Sequence, residues 1–422
     1  MLGVLQTIIY FSFLFLLFGI MQWYVGRFYV SWVKSSVEKE RQLSWLRAGL
    51  IFMLFANLIF SFRFITTEFG FYDNLFTQSL IIYPGGVFFA GITLAFAALL
   101  ITDGVRYSIK GIKLLMEKFK DHQQEKQDAQ HFDPGRRKFL KTAGSIAVAS
   151  PFIVTMSSSA ATSRDYNITR PELFFPDLPT GLDGLKIVQI SDLHSGIYMT
   201  ERQISEIFEI SNSLNPEIVS LTGDLVDTST SEISSIYNTL PMLKSEYGVF
   251  GCLGNHDHYA SGSAVSAAVR QRNIPMLNNS RNHLMINGEP LDILGVDDAG
   301  SGSRNFARLD RALEGSDPDH FKLLLSHRPN VFDFNGIEQV DLTLAGHTHG
   351  GQIGGRFMGI PIYPVSLFHD YTKGLFTREN RKMYVNVGVG MVGVPIRIVR
   401  PEITLITLRK GSPQNDVGGV GG

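Results

Sequence analysis

The first 105 residues contain apolar runs long enough to cross a lipid bilayer. Residues 2–26 contain no Asp, Glu, Lys or Arg, and neither do residues 75–102. A third run, at 46–66, carries Arg63 near its end, where a long side chain can extend to the membrane interface. A helix needs about 20 apolar residues to span a hydrocarbon core of ~30 Å. We therefore predict three transmembrane helices within residues 1–105.

The connections between these runs differ in positive charge. Lys and Arg are frequent in 27–47, absent from 64–74 and frequent again in 106–141, which ends in RRKFLK. Cytoplasmic loops of membrane proteins carry the excess of Lys and Arg. The sequence thus predicts that 27–47 and the charged linker 106–141 are cytoplasmic, and that the N-terminus lies outside.

Residues 142–163 are again free of charged side chains and moderately apolar. They have the length of a fourth transmembrane helix. The preceding GRRKFLK also resembles a twin-arginine export signal, although it lies far from the N-terminus and has Gly135 where Ser or Thr is usual. Both interpretations place everything after residue 164 outside the cytoplasm. Small residues at 159–161 leave open whether the chain is cleaved there.

Residues 164–410 alternate short apolar strands with helical segments such as 201–214. Eight strands are predicted, at 185–190, 217–221, 247–253, 291–296, 321–326, 340–345, 383–387 and 402–408. Continuous apolar strands separated by helices are typical of α/β sheets covered on both faces. The glycine-rich residues 411–422 are predicted to form a flexible tail.

Polar side chains follow the strands between 185 and 345 at their C-terminal ends. The residues are Asp192, His194, Asp224, Asn255, His327, His347 and His349. Ligands of open α/β sheets bind at the carboxyl ends of strands. Each residue alone can be explained as a helix cap, a turn residue or a core histidine. Five strand ends that supply only carboxylate, imidazole and amide instead predict a metal centre, with donors that suit Mn, Fe or Zn.

These residues belong to motifs that resemble a known family. The motifs D-x-H, G-D-x-x-D, G-N-H-D, a lone His and G-H-x-H occur in this order between about 165 and 408. They resemble the calcineurin-like metallophosphoesterase superfamily. GHTHGGQ at 346–352 and PIRIVRPEITLITL at 395–408 are similar to its bacterial membrane-associated and twin-arginine-exported branch. The resemblance implies a four-layer α/β sandwich, in which two mixed β-sheets are flanked by helices.

The resemblance also implies roles for individual residues. The first of two divalent ions would be held by Asp192, His194 and His349, the second by Asn255, His327 and His347, with Asp224 bridging them. His256 would protonate the leaving oxygen or stabilise developing charge, and Asp227 would orient its ring. A metal-bridging hydroxide would attack the phosphorus. Arg328 and Arg397 are further candidates for contact with the phosphate.

The sequence therefore predicts a membrane-anchored, dinuclear-metal phosphoesterase whose active domain is extracytoplasmic. Its substrate would be a phosphate ester, either a monoester or a diester, or a lipid-linked pyrophosphate at the membrane. The alternative is a non-catalytic metal-binding sensor or scaffold that reuses the fold. A net charge of −1 gives no indication of nucleic-acid binding. The single cysteine, Cys252, excludes an internal disulfide framework and is predicted to lie in the core.

Overall fold

The computed structural model describes most of the chain. The described residues are 2–68, 75–119, 150, 153, 165–300, 302–352, 355–357, 360–362 and 364–412, with the side chains of 2–14, 64–75, 117–119 and 355–364 left out. The chain divides into two units, Met1–Ala160 and Ala161–Gly422. The RRKFLK motif, nearly all of the segment 142–163 and the tail beyond 412 lie outside the described residues. The predictions made for them stay predictions.

The N-terminal unit contains three long helices. They are α1 (Leu2–Ser36), α2 (Lys39–Glu68) and α3 (Tyr83–Phe119), the last preceded by a helical turn, Leu75–Thr77, and a π-helical turn, Gln78–Ile82. Among the described residues, Lys39–Arg63 and Gln78–Met116 are long and apolar enough to cross a membrane by length and composition. The first predicted span, 2–26, is helical, but the side chains of its first half lie outside the described part of the chain.

The exposed face of α2 is apolar. Leu50, Ile51, Leu54 and Phe55 are each at least 60% exposed. The opposite side packs Ala56 and Phe60 into a cluster with residues of α1 and α3, including Phe18, Phe88 and Ile92. A contiguous apolar surface of this kind is stable only against another apolar medium or partner. The packing of the helix therefore agrees with membrane association.

The C-terminal unit is built on two six-stranded sheets. The first contains β1 (Asn167–Thr169), β2 (Glu172–Phe175), β3 (Lys186–Ile190), β4 (Ile218–Thr222), β5 (Val249–Cys252) and β14 (Glu402–Lys410). The second contains β6 (Ser280–Ile286), β7 (Glu289–Gly295), β8 (Phe321–Leu325), β9 (Leu342–Ala345), β12 (Gly374–Arg378) and β13 (Arg381–Val385). A short hairpin is formed by β10 (Gly355–Phe357) and β11 (Ile360–Ile362).

Both sheets are mixed. The first has the order β1–β14–β3–β4–β5, with β2 also paired to β14, and the second has the order β12–β13–β9–β8–β7–β6. Strands β3, β4 and β5 are parallel, and so are β7, β8, β9 and β13. The carboxyl ends of each parallel set therefore meet at one edge of its sheet.

The side chains alternate between two faces, as the pleat of a strand requires. Ile187 and Leu323 lie in the cluster between the sheets, whereas the next residues, Val188 and Leu324, lie in two outer clusters. The helices that flank the sheets are α4 (Glu201–Ser213), α5 (Ile233–Thr239), α6 (Asn255–Ala260), α7 (Gly262–Arg270) and α8 (Leu309–Leu313). The predicted sandwich of two mixed sheets flanked by helices is confirmed.

One buried side chain joins the two sheets near the ends that carry the polar residues. Gln189 on β3 donates from Nε2 to the backbone oxygen of Ala345, at the end of β9, over 2.8 Å. The same nitrogen donates to Thr222 Oγ1, at the end of β4, over 3.0 Å. Because each buried amide hydrogen bond is costly to break, Gln189 holds the ends of three strands together.

The eight predicted strands all occur, with ends that differ by no more than two residues. Six described strands are absent from the prediction, namely β1, β2, β6, β10, β11 and β12. The longest of them, β6, is not predicted because its sequence, SRNHLMI, is polar on its exposed face and lacks a continuous apolar run. Cys252 is fully buried in β5, as predicted.

Candidate metal centre

The structure brings all seven predicted ligands to the ends of β3, β4, β5, β8 and β9. Six of them form two groups in which the potential ligand atoms lie within 4.8 Å of one another. One group is Asp192, His194 and His349, and the other is Asp224, His327 and His347. The first group is the set that the resemblance implies for one ion, and the second contains two ligands of the other ion together with the implied bridge, Asp224.

In the first group two imidazole nitrogens face each other in a buried space. His194 Nε2 lies 3.0 Å from His349 Nε2. The Oδ1 atom of Asp192 lies 3.3 Å from His349 Nε2 and 3.9 Å from His194 Nε2. A carboxylate and two imidazoles that converge in this way are suitable donors for a divalent transition metal.

Asp224 lies between the two groups. Its Oδ2 atom is 3.0 Å from His327 Nε2 and 3.5 Å from His194 Nε2, so it faces an imidazole of each group. His327 Nε2 in turn lies 3.2 Å from His347 Nδ1. The other oxygen of Asp224 accepts a hydrogen bond from the backbone of His256. The position of this carboxylate agrees with the bridging role that the resemblance implies.

Asn255 supplies a buried oxygen that has no donor. Its Oδ1 atom is inaccessible to solvent and makes no hydrogen bond. Leaving such an oxygen unpaired costs about 1–3 kcal/mol, a penalty that coordination to a cation would remove. The unpaired amide, the carboxylates and the facing imidazoles together show that these residues fit a divalent metal centre.

The backbone at the centre adopts strained conformations. Five of the seven residues have positive φ, namely Asp192 (55°), His194 (47°), Asp224 (52°), His347 (71°) and His349 (51°). Side chains other than glycine rarely adopt this region, and strained backbone of this kind concentrates at functional sites. The adjacent glycines allow the segments to approach: a Cβ at Gly254 would collide with Asp224, and one at Gly346 with Ser191 and Asp192.

Asp227 lies between two histidines. Its Oδ1 atom is 3.3 Å from Nδ1 of His194 and 3.3 Å from Nδ1 of His256. The backbone oxygen of Asp227 lies 2.6 Å from the same nitrogen of His256. The structure thus places Asp227 beside His256, as predicted, and adds a contact with the predicted metal ligand His194.

The charges around Asp227 and His256 favour an ion pair between these two side chains. Burial opposes ionisation of Asp227, but hydrogen bonds and charge from His194 and His256 lower its pKa to about 2. Burial also disfavours the charged form of His256, whereas Asp227 and Asp224 raise its pKa to about 9. These carboxylates therefore favour the protonated form of His256, which is the form that a general acid requires.

Three histidines of the predicted ligand set differ in the direction in which their pKa is shifted. Burial and the positive charges of neighbouring groups hold the pKa of His347 and His349 well below the usual value, so both rings are neutral donors. Burial works against charge on His327 as well, but Asp224 raises its pKa to about 10. Because a metal ligand must be deprotonated, cation binding would displace the His327 proton.

Three residues that hold the centre in place were not predicted from the sequence: Ser191, Asp257 and Glu232. Ser191 Oγ donates to Asp192 Oδ2 over 2.5 Å. Asp257 accepts hydrogen bonds from the backbone of Leu225, Val226 and Gly254, which fixes the loops that carry Asp224 and Asn255. Glu232 accepts from the backbone of Asp227 and the two residues after it. Only Asp257 had a signal in the sequence, as the last residue of G-N-H-D.

The two arginines proposed for phosphate contact differ. Arg397 is 1% exposed, and its guanidinium donates to backbone oxygens of Val387, Gly388, Gly390 and Val399. It therefore holds the loop that packs on Asp192, and its Nη1 atom lies 3.4 Å from Nδ1 of the predicted ligand His349. Arg328 is partly exposed, donates from Nε to Asp298 and lies 2.9 Å from His347 through Nη1. Contact of either arginine with phosphate stays a prediction.

Comparison with known proteins agrees with this geometry. A family model described as calcineurin-like phosphoesterase matches residues 185–351. An uncharacterized metallophosphoesterase of Bacillus subtilis, YkuE, is 32% identical over 237 residues, which cover 55% of this chain and 82% of the relative. An uncharacterized metallophosphoesterase of Campylobacter jejuni, Cj0846, is 31% identical and covers 63% and 69%.

The name of a third relative describes it as a transmembrane protein. The "transmembrane protein with metallophosphoesterase domain" of Bos taurus is 29% identical, over 66% of this chain and 64% of its own length. Among solved structures, the NAD nucleotidase of Haemophilus influenzae matches with a TM-score of 0.33 and 15% identity, over 49% of this chain and 45% of that one. The sequence relatives carry the assignment: the chain belongs to the calcineurin-like metallophosphoesterases, which makes it a metal-dependent phosphoester hydrolase.

Proposed function

We propose that this protein is a membrane-anchored phosphoesterase that uses two divalent cations, Mn, Fe or Zn. The ligands would be Asp192, His194 and His349 for one ion and Asn255, His327 and His347 for the other. The observation that carries the proposal is the position of Asp224 between the two groups, 3.5 Å from His194 and 3.0 Å from His327. Two cations held by these residues would supply Lewis acidity and would lower the pKa of a water for attack on phosphorus.

His256 would act on the opposite side of the reaction, at the leaving group. Its Nδ1 atom faces Asp227, so its Nε2 atom carries the proton that can be transferred. Asp227 keeps the ring in this orientation and stabilises its charge. His256 would therefore donate from Nε2 to the oxygen that leaves phosphorus, which removes the cost of expelling an alkoxide.

Replacement of Asp224 by Asn tests the metal centre. The change keeps the shape of the side chain but removes the charge that faces both histidine groups. We expect bound metal to fall from near two ions per chain and hydrolysis to fall by at least about 100-fold. Elemental analysis of the full-length protein in detergent gives the metal content, and bis-aryl phosphodiester and aryl monophosphate substrates give the rate.

The same assay distinguishes the rival function. Two bound ions without turnover on any ester would favour a metal-binding sensor or scaffold. Unchanged metal and turnover in Asp224→Asn would refute the proposed ligand set.

Replacement of His256 by Ala tests the acid. We expect kcat to fall about 10²–10⁴-fold while the metal content stays unchanged, because the proposed ligand set does not include His256. The loss should be smaller on esters whose leaving group is a weak base, since these need less protonation. The control is Met285→Ala, which removes an exposed side chain on the edge strand β6 that cannot be a ligand of either proposed ion. Equal losses on all leaving groups would contradict the assignment.

We further propose that the substrate carries a lipid. Exposed apolar side chains from separate segments lie next to residues of the centre. Leu367 and Phe368 are 80% and 82% exposed and precede His369, whose ring lies 5.5 Å from that of His347. On another segment the ring of Tyr259, 53% exposed, lies 4.9 Å from that of His256. Burying such side chains in hydrocarbon is favourable, at about 25 cal/mol per Å².

A paired substrate assay tests the lipid proposal. The full-length double variant Leu367→Ser/Phe368→Ser should lose at least about tenfold of its activity on vesicles of phosphatidic acid or phosphatidylglycerol, since it loses roughly 1.5–3 kcal/mol per buried side chain. Its activity on soluble aryl phosphates should stay unchanged. The control is Met285→Ser, which removes an equally apolar, 57% exposed side chain from β6. A wild-type enzyme that hydrolyses aryl phosphates but no lipid would exclude the lipid proposal and leave the phosphoesterase standing.

The anchor would place the active domain outside the cytoplasm, in the periplasm or extracellular space. This part of the proposal rests on the basic residues of 27–47 and 106–141 and on their absence from 64–74.

A reporter fusion tests the orientation. Alkaline phosphatase fused after residue 422, which is active only when exported, should be active, and a green fluorescent protein at the same position should be dark. Replacing both Arg136 and Arg137 by Lys tests the twin-arginine alternative: lost export supports it, and unchanged export supports an ordinary fourth span. A bright cytoplasmic fluorophore would reverse the orientation.

A further inference from the structure

A second cluster of metal-binding side chains lies away from the candidate metal centre. His283, Asp292 and His320 each offer a ligand atom within 4.8 Å of the others. His283 Nδ1 is 2.8 Å from Asp292 Oδ1, and His320 Nδ1 is 3.3 Å from Asp292 Oδ2. The two rings lie side by side, with centroids 5.1 Å apart. None of the three residues belongs to the motifs of the family.

The cluster combines a buried carboxylate with accessible imidazoles. The side chain of Asp292 is fully buried, whereas those of His283 and His320 are 41% and 23% exposed. Both histidines direct Nδ1 toward the carboxylate. The three residues thus offer an ion two imidazole nitrogens and a carboxylate oxygen within 4.8 Å of one another. An ion could thus reach the imidazoles from solvent without any opening of the core.

The fold holds these three residues in place from separate segments. His283 on β6 and Asp292 on β7 are direct cross-strand partners. His320 ends the loop before β8, and Lys322 fixes that loop because its Nζ donates to the backbone oxygens of Asp317, Pro318 and His320. The cluster is therefore organised in advance, which lowers the entropy cost of binding an ion.

Two other groups touch the buried carboxylate. Ser316 Oγ donates to Asp292 Oδ2 over 2.5 Å. Arg281 Nη1 lies 3.7 Å from Asp292 Oδ1, beyond hydrogen-bonding distance, and this guanidinium donates instead to the backbone oxygens of Glu314 and Gly315. Its positive charge weakens cation binding but does not occupy the carboxylate.

The location separates this cluster from the catalytic ligands. Lys322, the β8 partner of Asp292, lies five residues before His327 in the sequence. At about 3.3 Å per residue, the two ends of this segment are roughly 16 Å apart. An ion in the cluster would join the edge strand β6 to β7 and to the loop that precedes β8.

We propose that His283, Asp292 and His320 form an auxiliary site for a divalent transition metal such as Zn²⁺. Two imidazoles and one carboxylate are a usual zinc ligand set, with water completing the coordination. The ion would stabilise the edge of the second sheet and take no part in phosphoester hydrolysis. Because it binds only the folded chain, it would raise thermal stability by an amount that grows with the logarithm of the free Zn²⁺ concentration above Kd.

Zinc binding to the full-length protein tests this proposal. Wild type and His283→Gln/His320→Gln are saturated with Zn²⁺, desalted and analysed for metal, and melting is followed with and without added Zn²⁺. We expect the double variant to hold one ion fewer per chain. The melting experiment starts from protein whose candidate metal centre is already loaded. Added Zn²⁺ should then raise the melting temperature of the wild type by several degrees and leave that of the double variant unchanged.

The controls separate this site from surface binding and from the catalytic centre. Asp319→Asn removes a neighbouring carboxylate outside the cluster and should keep the full metal content. Hydrolysis of the bis-aryl phosphodiester should be equal in all three proteins. A difference of one ion between wild type and the double variant supports the auxiliary site whether or not the catalytic ligands are correct. Equal metal content in both, or an equal loss in Asp319→Asn, would overturn it. If the double variant does not fold, His283→Gln alone gives the same comparison.

Discussion

The arrangement of the C-terminal unit depends on one buried carboxylate, that of Asp224. It follows β4 and faces His194 at the end of β3 and His327 at the end of β8, which belong to different sheets. Burial makes an isolated carboxylate unfavourable. The facing imidazoles offset this cost and hold the pKa of Asp224 well below its usual range. The edge where the two sheets meet is therefore organised around a charge that only cationic partners can stabilise.

The surroundings of Asp224 explain the strained backbone at the centre. The five ligands with positive φ follow three of the strands: Asp192 and His194 follow β3, Asp224 follows β4, and His347 and His349 follow β9, where the chain turns sharply toward the common point. Gly254 and Gly346 allow the turns to approach because neither carries a Cβ. Hydrogen bonds from Ser191 and to Asp257 keep the turns in place without contributing a ligand. Rigid elements thus position a site whose individual residues are locally unfavourable.

The two histidines nearest to the proposed chemistry have different electrostatic environments. His256 is beside Asp227 and keeps its proton, whereas His349 is buried near His194 and Arg397 and stays neutral. One imidazole is suited to donate a proton and the other to donate a lone pair. In the proposed function the same residue type would therefore serve acid catalysis and metal binding in one site, because burial lowers the pKa of both rings whereas neighbouring carboxylates raise that of His256 and neighbouring cations lower that of His349.

The sequence by itself determined eight of the fourteen described strands and the polar residues that follow them. Apolar runs such as 185–190 and 340–345 end at Asp192 and His347, and this local pattern is sufficient to predict a site at the strand ends. Polar patterning did not reveal β6, since an exposed edge strand has no continuous apolar run. Only the tertiary structure decided which side chains meet, because strand order and register are set by packing between distant segments. It placed Arg397 in the core, Asp227 beside two histidines and His283 opposite Asp292. The alternation of apolar and polar residues specifies none of these contacts, since each depends on how strands and loops pair in the folded chain.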